Sequence, residues 1–369
     1  MKKILVVFGT RPEAIKMAPL VKELCQHAEF ESKVCVTAQH REMLDQVLAF
    51  FSIQPDYDLD LMKANQTLNQ LSARILTAID EVLVDFEPDL VLVHGDTSTS
   101  SMVALASFHR GIKIGHVEAG LRTYNKFAPF PEEINRQMTG RLADIHFAPT
   151  KQSAQNLLNE GVLPNAFHIT GNTVIDALLW GVKNVNKERA DIKKMDGFLE
   201  NNKKLIVVTG HRRENFGAQF YEFCSALKEL ATRDDVQLIY PVHLNPNVQK
   251  TVYDTLGNLD NILLINPLDY EAFIWLLDQS HIIITDSGGV QEEAPSLKKP
   301  VLVTREVTER QEAVAQGTVK LVGTNKEKII KEATILLDDE TVYKKMVGNK
   351  NPYGDGTASK QIVSILKLV

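Results

Sequence analysis

The chain is poor in cysteine, and its apolar runs are short. Its three cysteines, Cys25, Cys35 and Cys224, are odd in number among 369 residues. They lie far from any C-x-x-C spacing, which excludes a disulfide framework and a cysteine-built zinc site and implies reduced thiols. No apolar stretch approaches the length needed to span a bilayer. Met1-Lys2-Lys3 resembles the start of a signal peptide, but the run Ile4–Phe8 stops at Gly9-Thr10-Arg11, too short for the apolar region of one. A cytoplasmic protein is expected. A basic excess is also missing: net charge is −6 and the isoelectric point about 6.0, which argues against a general nucleic-acid binder. The motifs H-E-x-x-H, G-x-x-x-x-G-K-[ST] and G-x-S-x-G are absent, and the glycines near residue 9 do not form G-x-G-x-x-G, so NAD is not expected. With 44% apolar and 24% charged residues the chain can build cores, and its length suits two domains.

Short β-branched runs recur along the chain, each ending in a polar or glycine-bearing turn. They are Ile4–Phe8, Lys33–Thr37, Asp89–His94, Ile112–Val117, Ile145–Ala148 and Phe167–Thr170, with a long amphipathic stretch at 69–85. A charged stretch from Lys183 to Lys204 reads as a solvated helix at the junction of two halves. The pattern then restarts with Lys204–Thr209, Val236–His243, Ile262–Ile265, His281–Thr285, Pro300–Thr304 and Lys320–Gly323. Alternation of strands with helical stretches predicts βαβ units and parallel sheets. The expected fold is α/β, two Rossmann-like doubly wound domains facing a cleft. The expected division is 1–171 with a returning C-terminal helix at 355–369, and 172–354. Such sheets bind ligands beyond the carboxyl ends of their strands.

Three constellations fall at those ends. Thr285-Asp286-Ser287-Gly288-Gly289 lies between a strand and a helix, where free N–H groups and the helix dipole suit phosphate, and Glu293 lies about one helical turn further on. The plainer alternative is a tight turn with no ligand. Asp96 and Glu118 end successive strands, and Glu132 and Glu133 follow in a Pro-Phe-Pro-Glu-Glu loop. Taken singly, Asp96 and Glu132 would most simply cap helices; their repetition at strand ends favours proton transfer. Arg11, Lys16, His211, Arg212, Arg213 and Arg310 could clamp a diphosphate, or could be surface charges paired with Glu13, Glu214 and Glu309. His94-x-Asp96 and His116-x-Glu118 have a spacing that a metal could use, but buried strand-end histidines more often satisfy backbone groups, and no metal is expected.

Five motifs in order then carry a resemblance: Gly9-Thr10-Arg11-Pro12-Glu13, His94-Gly95-Asp96-Thr97, His116-Val117-Glu118-Ala119-Gly120-Leu121-Arg122, Thr209-Gly210-His211-Arg212-Arg213-Glu214 and Thr285-Asp286-Ser287-Gly288-Gly289. Together they resemble the non-hydrolysing UDP-N-acetylglucosamine 2-epimerases of bacteria, from Ile4 to the turn at 351–356. The resemblance implies a GT-B type fold, a homodimer and conversion of UDP-GlcNAc to UDP-ManNAc without a cofactor. The route it implies is anti elimination of UDP to 2-acetamidoglucal and re-addition, supplying ManNAc units for cell-surface polysaccharide. It further implies that Asp96, Glu118, Glu132 and His211 are catalytic, and that Arg11, Lys16, Phe273, Ser287, Gly288, Gly289, Glu293 and Arg310 bind substrate. Leu268 departs from members that carry Gln near the uracil. Many bacterial members use UDP-GlcNAc as activator in a second pocket, and Gln39, His40 and His243 stand where that pocket would be. A hydrolysing epimerase, a GT-B glycosyltransferase and a silent sugar-nucleotide sensor remain alternatives.

Overall fold

The computed structural model describes residues 1–37, 41–63, 65–210 and 217–369. The chain forms two compact units, Met1–Ala177 with Tyr353–Val369, and Leu178–Pro352. In the first unit seven strands are β1 (Lys2–Phe8), β2 (Phe30–Val36), β3 (Tyr57–Asp58), β4 (Leu90–His94), β5 (Lys113–Val117), β6 (Ile145–Ala148) and β7 (Phe167–Ile169). They form one sheet in the order β3-β2-β1-β4-β5-β6-β7, with every pairing parallel. Burial on both faces explains why β1 and β4 read as unbroken apolar runs rather than alternating ones. Leu5, Val7, Val91 and Val93 pack with Ile75, Ile79 and Leu83 of the Leu68–Phe86 helix on one side of this core. The C-terminal helix Ala358–Leu366 packs on the Arg11–Leu24 helix, burying Ile362, Val363 and Leu366.

The second unit repeats the plan with β8 (Lys204–Thr209), β9 (Val236–Pro241), β10 (Ile262–Ile265), β11 (Ile282–Thr285), β12 (Val301–Val303) and β13 (Val319–Leu321). Its order is β10-β9-β8-β11-β12-β13, again parallel. In both sheets the order reverses beside the first strand, between β1 and β4 and between β8 and β11. The crevice at such a switch point is where open α/β sheets take ligands. The charged junction differs from a single solvated helix. The Thr173–Asn184 helix ends at its start, and a short Ala190–Asp196 helix follows, buried through Ile192 and Met195.

Candidate active site

The first unit's switch point is built from the loops after β1 and β4. Gly9 follows β1, and a Cβ there would lie 2.1 Å from Thr37 Oγ1 and 2.6 Å from Thr99 Oγ1, so only glycine fits. Thr10 then caps the Arg11–Leu24 helix in a capping box with Glu13. Glu13 is not the surface partner of a basic residue. It is 2% exposed, and its carboxylate accepts from Gly9 N (3.0 Å), Thr10 N (2.8 Å), Thr97 Oγ1 (2.6 Å) and Ser100 Oγ (3.1 Å). One side chain therefore ties the two switch-point loops together. Burial pushes its pKa up, against the lowering effect of those bonds. Arg11 and Lys16, both half-buried, lie on the first turns of this helix.

Asp96 does not cap the next helix; Thr97 does, accepting from Ser100 N at 3.1 Å. Asp96 instead forms an ion pair with Arg136. Burial pushes its pKa up, and Arg136 opposes that without cancelling it. Glu118 follows β5 with φ +60°, a left-handed conformation that an L-residue holds only under constraint. The constraint falls on one oxygen: Oε2 accepts from Lys16 Nζ and from Asn172 Nδ2 at 2.7 Å, with His94 Nε2 3.7 Å away. Burial alone would push the Glu118 carboxyl up. The Lys16 ammonium, with His94 and the Asn172 amide, outweighs it and holds the group well below the ordinary carboxylate range. Two carboxylates on neighbouring strand ends are thus pushed in opposite directions.

Glu132 is the first residue of the Glu132–Leu142 helix and is half-buried; Pro131 stands at the cap position. Glu133 is fully buried and accepts from Thr123 N, Tyr124 N, Gln137 Nε2 and, at 3.4 Å, Arg136 Nη1. It anchors the loop before the helix and steadies the arginine that pairs with Asp96. His116 bonds the Gly95 carbonyl through Nε2 at 2.7 Å, a backbone role, and burial pushes its pKa down to about 3. Burial likewise pushes His94 down to about 4. Among the described residues no group of three or more His, Cys, Asp or Glu is arranged to hold a metal ion.

In the second unit β11 ends at Thr285, whose Oγ1 accepts from Ser287 N at 2.9 Å. Ser287 is the cap residue of a short helix, Gly288–Glu293, which tightens into a 3₁₀ turn at Ala294–Leu297. The Arg310 guanidinium lies over Gly288: a Cβ there would be 3.1 Å from its Cζ. Arg310 is held by Glu292 at 2.8 Å and Glu309 at 3.6 Å, so part of the surface-pair alternative is realised alongside the glycine contact. Glu293 is buried, and a Cβ on Gly289 would lie 3.7 Å from its Oε2. Phe273 is half-buried on the Tyr270–Gln279 helix, and Leu268 is half-buried just before it. His243 is exposed, its Nδ1 accepting from Asn245 N at 3.1 Å. Gln39, His40, His211, Arg212, Arg213 and Glu214 lie outside the described residues.

Sequence reasoning missed Arg136 and Asn172, gave Glu13 only as a surface partner, and named Glu133 among the acids without its anchoring role. The Thr10-x-x-Glu13 spacing was a legible capping-box signal, and Glu133 with Arg136 has helical i, i+3 spacing. No local signal joined Asn172 to Glu118.

Two parallel α/β units of Rossmann strand order, the first with carboxylates at its switch point, define an α/β protein of the GT-B type, as are its structural neighbours. A family model described as UDP-N-acetylglucosamine 2-epimerase matches residues 22–367. A protein of that name from Yersinia pestis is 58% identical over 369 residues, covering 99% of this chain and 98% of that one. Its counterpart from Escherichia coli K12 is 56% identical with the same coverage. A crystal structure of UDP-GlcNAc 2-epimerase from Neisseria meningitidis bound to UDP-GlcNAc has a TM-score of 0.88 at 50% identity, covering 100% of both chains. A Listeria monocytogenes crystal structure, provisionally assigned as a UDP-N-acetylglucosamine 2-epimerase, reaches 0.94 at 50% identity, covering 100% of this chain and 96% of that one. The chain belongs to the UDP-N-acetylglucosamine 2-epimerase family. Among its described residues no helix is long and apolar enough to cross a membrane.

Proposed function

We propose that this chain interconverts UDP-GlcNAc and UDP-ManNAc by elimination and re-addition of UDP. The observation that carries this reading is the opposed pair Glu118 and Asp96. One carboxylate is held ionised by Lys16 and Asn172, and the other is pushed towards its neutral form by burial. Carboxyl groups whose surroundings drive them apart suit acid and base roles in one reaction. Family membership and a relative bound to UDP-GlcNAc support the substrate.

Inverting C2 needs a proton to leave one face of the sugar and return on the other. The amide at C2 does little to acidify that proton. Breaking C1–O first gives an oxocarbenium-like centre, which makes the C2 proton far easier to lose. In this reading Glu118 takes the proton as UDP departs with the C1–O electron pair, leaving 2-acetamidoglucal. Asp96 then delivers a proton to the opposite face of C2 as UDP adds back to C1, and solvent resets both acids. Oxidation state is unchanged throughout, so no redox partner enters. Lys16, Arg11, His211 and the amides of Ser287, Gly288 and Gly289 would neutralise the departing diphosphate. Glu293 would accept from ribose, Phe273 would line the base pocket, Arg310 would bind substrate and Glu132 would be a third acid at the sugar. The same reading carries a homodimer, an activator pocket at Gln39, His40 and His243, and supply of ManNAc units to cell-surface polysaccharide.

NMR of UDP-GlcNAc with the protein in D₂O tests it. UDP-ManNAc bearing deuterium at C2 is expected; product without deuterium would refute the elimination route. Free ManNAc with UDP would point to a hydrolysing enzyme instead.

A further inference from the structure

We infer that Asn172 is a positioning residue for Glu118, linking that carboxylate to the C-terminal turn of the chain. This rests on the reading of Glu118 as a proton acceptor. Asn172 is 3% exposed. Its Oδ1 accepts from Val174 N at 3.1 Å, which assigns the two ends of the amide and leaves Nδ2 as the donor to Glu118 Oε2 at 2.7 Å. Its backbone N–H donates to Tyr353 O at 2.7 Å. Behind it the backbones are in close contact: Gly171 has φ +83°, and a Cβ there would lie 3.1 Å from Tyr353 O and 3.3 Å from Gly354 Cα. Tyr353 is itself buried. The amide is therefore fixed at both ends and from behind, and cannot turn away from Glu118 without breaking the joint between residues 171–172 and 353–354.

The consequence lies in which oxygen is used. Among the described residues, Lys16 and Asn172 both donate to Oε2 of Glu118, which leaves Oε1 for proton transfer. A hydrogen bond to the ionised form also favours that form. Among the described residues, the charged and titratable groups facing Glu118 are Lys16 from the Arg11–Leu24 helix, His94 from the end of β4 and Asp96 from the loop beyond it. Asn172 adds a donor that does not itself titrate. Removing it raises the Glu118 pKa, so the acid limb of kcat/KM, where Glu118 must be ionised, moves to higher pH.

Two full-length variants test this. Asn172→Ser keeps a hydroxyl to accept from Val174 N–H but is too short to reach Glu118. Asn172→Asp replaces the donor with a second carboxylate. Epimerisation is followed across pH 5–9 with kcat and KM separated, alongside thermal unfolding. Asn172→Ser should lose about 10- to 100-fold in kcat, the range of one hydrogen bond to a charged group. Its KM should stay within about threefold of the unmutated protein's, its acid limb should shift to higher pH, and the shift should be larger in Asn172→Asp. Folded variants whose acid limb coincides with that of the unmutated protein, or whose loss lies in KM alone, would overturn the assignment while leaving the epimerase reading intact. Failure of the unmutated protein to exchange or epimerise C2 would instead remove that reading, and the role of Asn172 with it.

Discussion

Glu13→Ala removes one side chain that four donors share. Two of those donors, Gly9 N–H and Thr10 N–H, are backbone groups at the turn into the Arg11–Leu24 helix. The other two, Thr97 Oγ1 and Ser100 Oγ, are hydroxyls that also bond each other or the His94 carbonyl and so retain partners. The lasting loss is two backbone donors left without an acceptor, at about 1–3 kcal/mol each. Against that, alanine relieves the cost of a buried carboxylate, which the raised pKa of Glu13 records. The balance is about 2–3 kcal/mol of destabilisation, towards the lower end of the cost of two orphaned backbone donors. A unit of this size loses about 2–4 °C per kcal/mol, so the expected fall in Tm is about 4–12 °C. Glu13→Gln keeps an acceptor for the two N–H groups and offers its amide to the hydroxyls, and should stay within about 1 kcal/mol of the original. The pH dependence has a definite sign. Because the folded pKa is raised, the stability gained by binding a proton is fully present below the unfolded value of about 4.3. It is lost as pH rises through the folded pKa. Relative to the original, Glu13→Gln should therefore be more stable at pH 7 than at pH 4. Scanning calorimetry of the three proteins at both pH values is the assay. An alanine variant that melts within about 1 °C of the original at pH 7 would refute the idea that Glu13 ties the β1 and β4 loops together.

Asp96→Asn should lower turnover at least about 10²-fold with Tm little changed, read by NMR conversion of UDP-GlcNAc; near-normal turnover would reduce Asp96 to a partner of Arg136. Gly120→Ala should destabilise the first unit by more than about 2 kcal/mol in chemical denaturation. At φ +91° the new Cβ would lie 2.2 Å from the Ser153 carbonyl oxygen, a backbone atom that cannot move aside cheaply.

Much of the fold was legible because its determinants are local. A parallel strand covered on both faces must be apolar throughout, so Ile4–Phe8 and Leu90–Val93 announce themselves. The residues at strand ends mark candidate sites by the same token, since ligands in open α/β sheets gather there. That is why Asp96, Glu118 and Ser287–Gly289 could be singled out before any coordinates.

Composition, apolar runs and motif order by themselves determined the class, the strand-end residues and the family, because each depends on residues close together in the chain. What surrounds each acid was decided only by tertiary structure. Glu118 meets Lys16 across 102 positions and Asn172 across 54, and Asp96 meets Arg136 across 40. A carboxylate's protonation depends on the charges and donors that surround it in space, and folding alone brings those together. Read along the chain, Asp96 taken singly would most simply cap a helix.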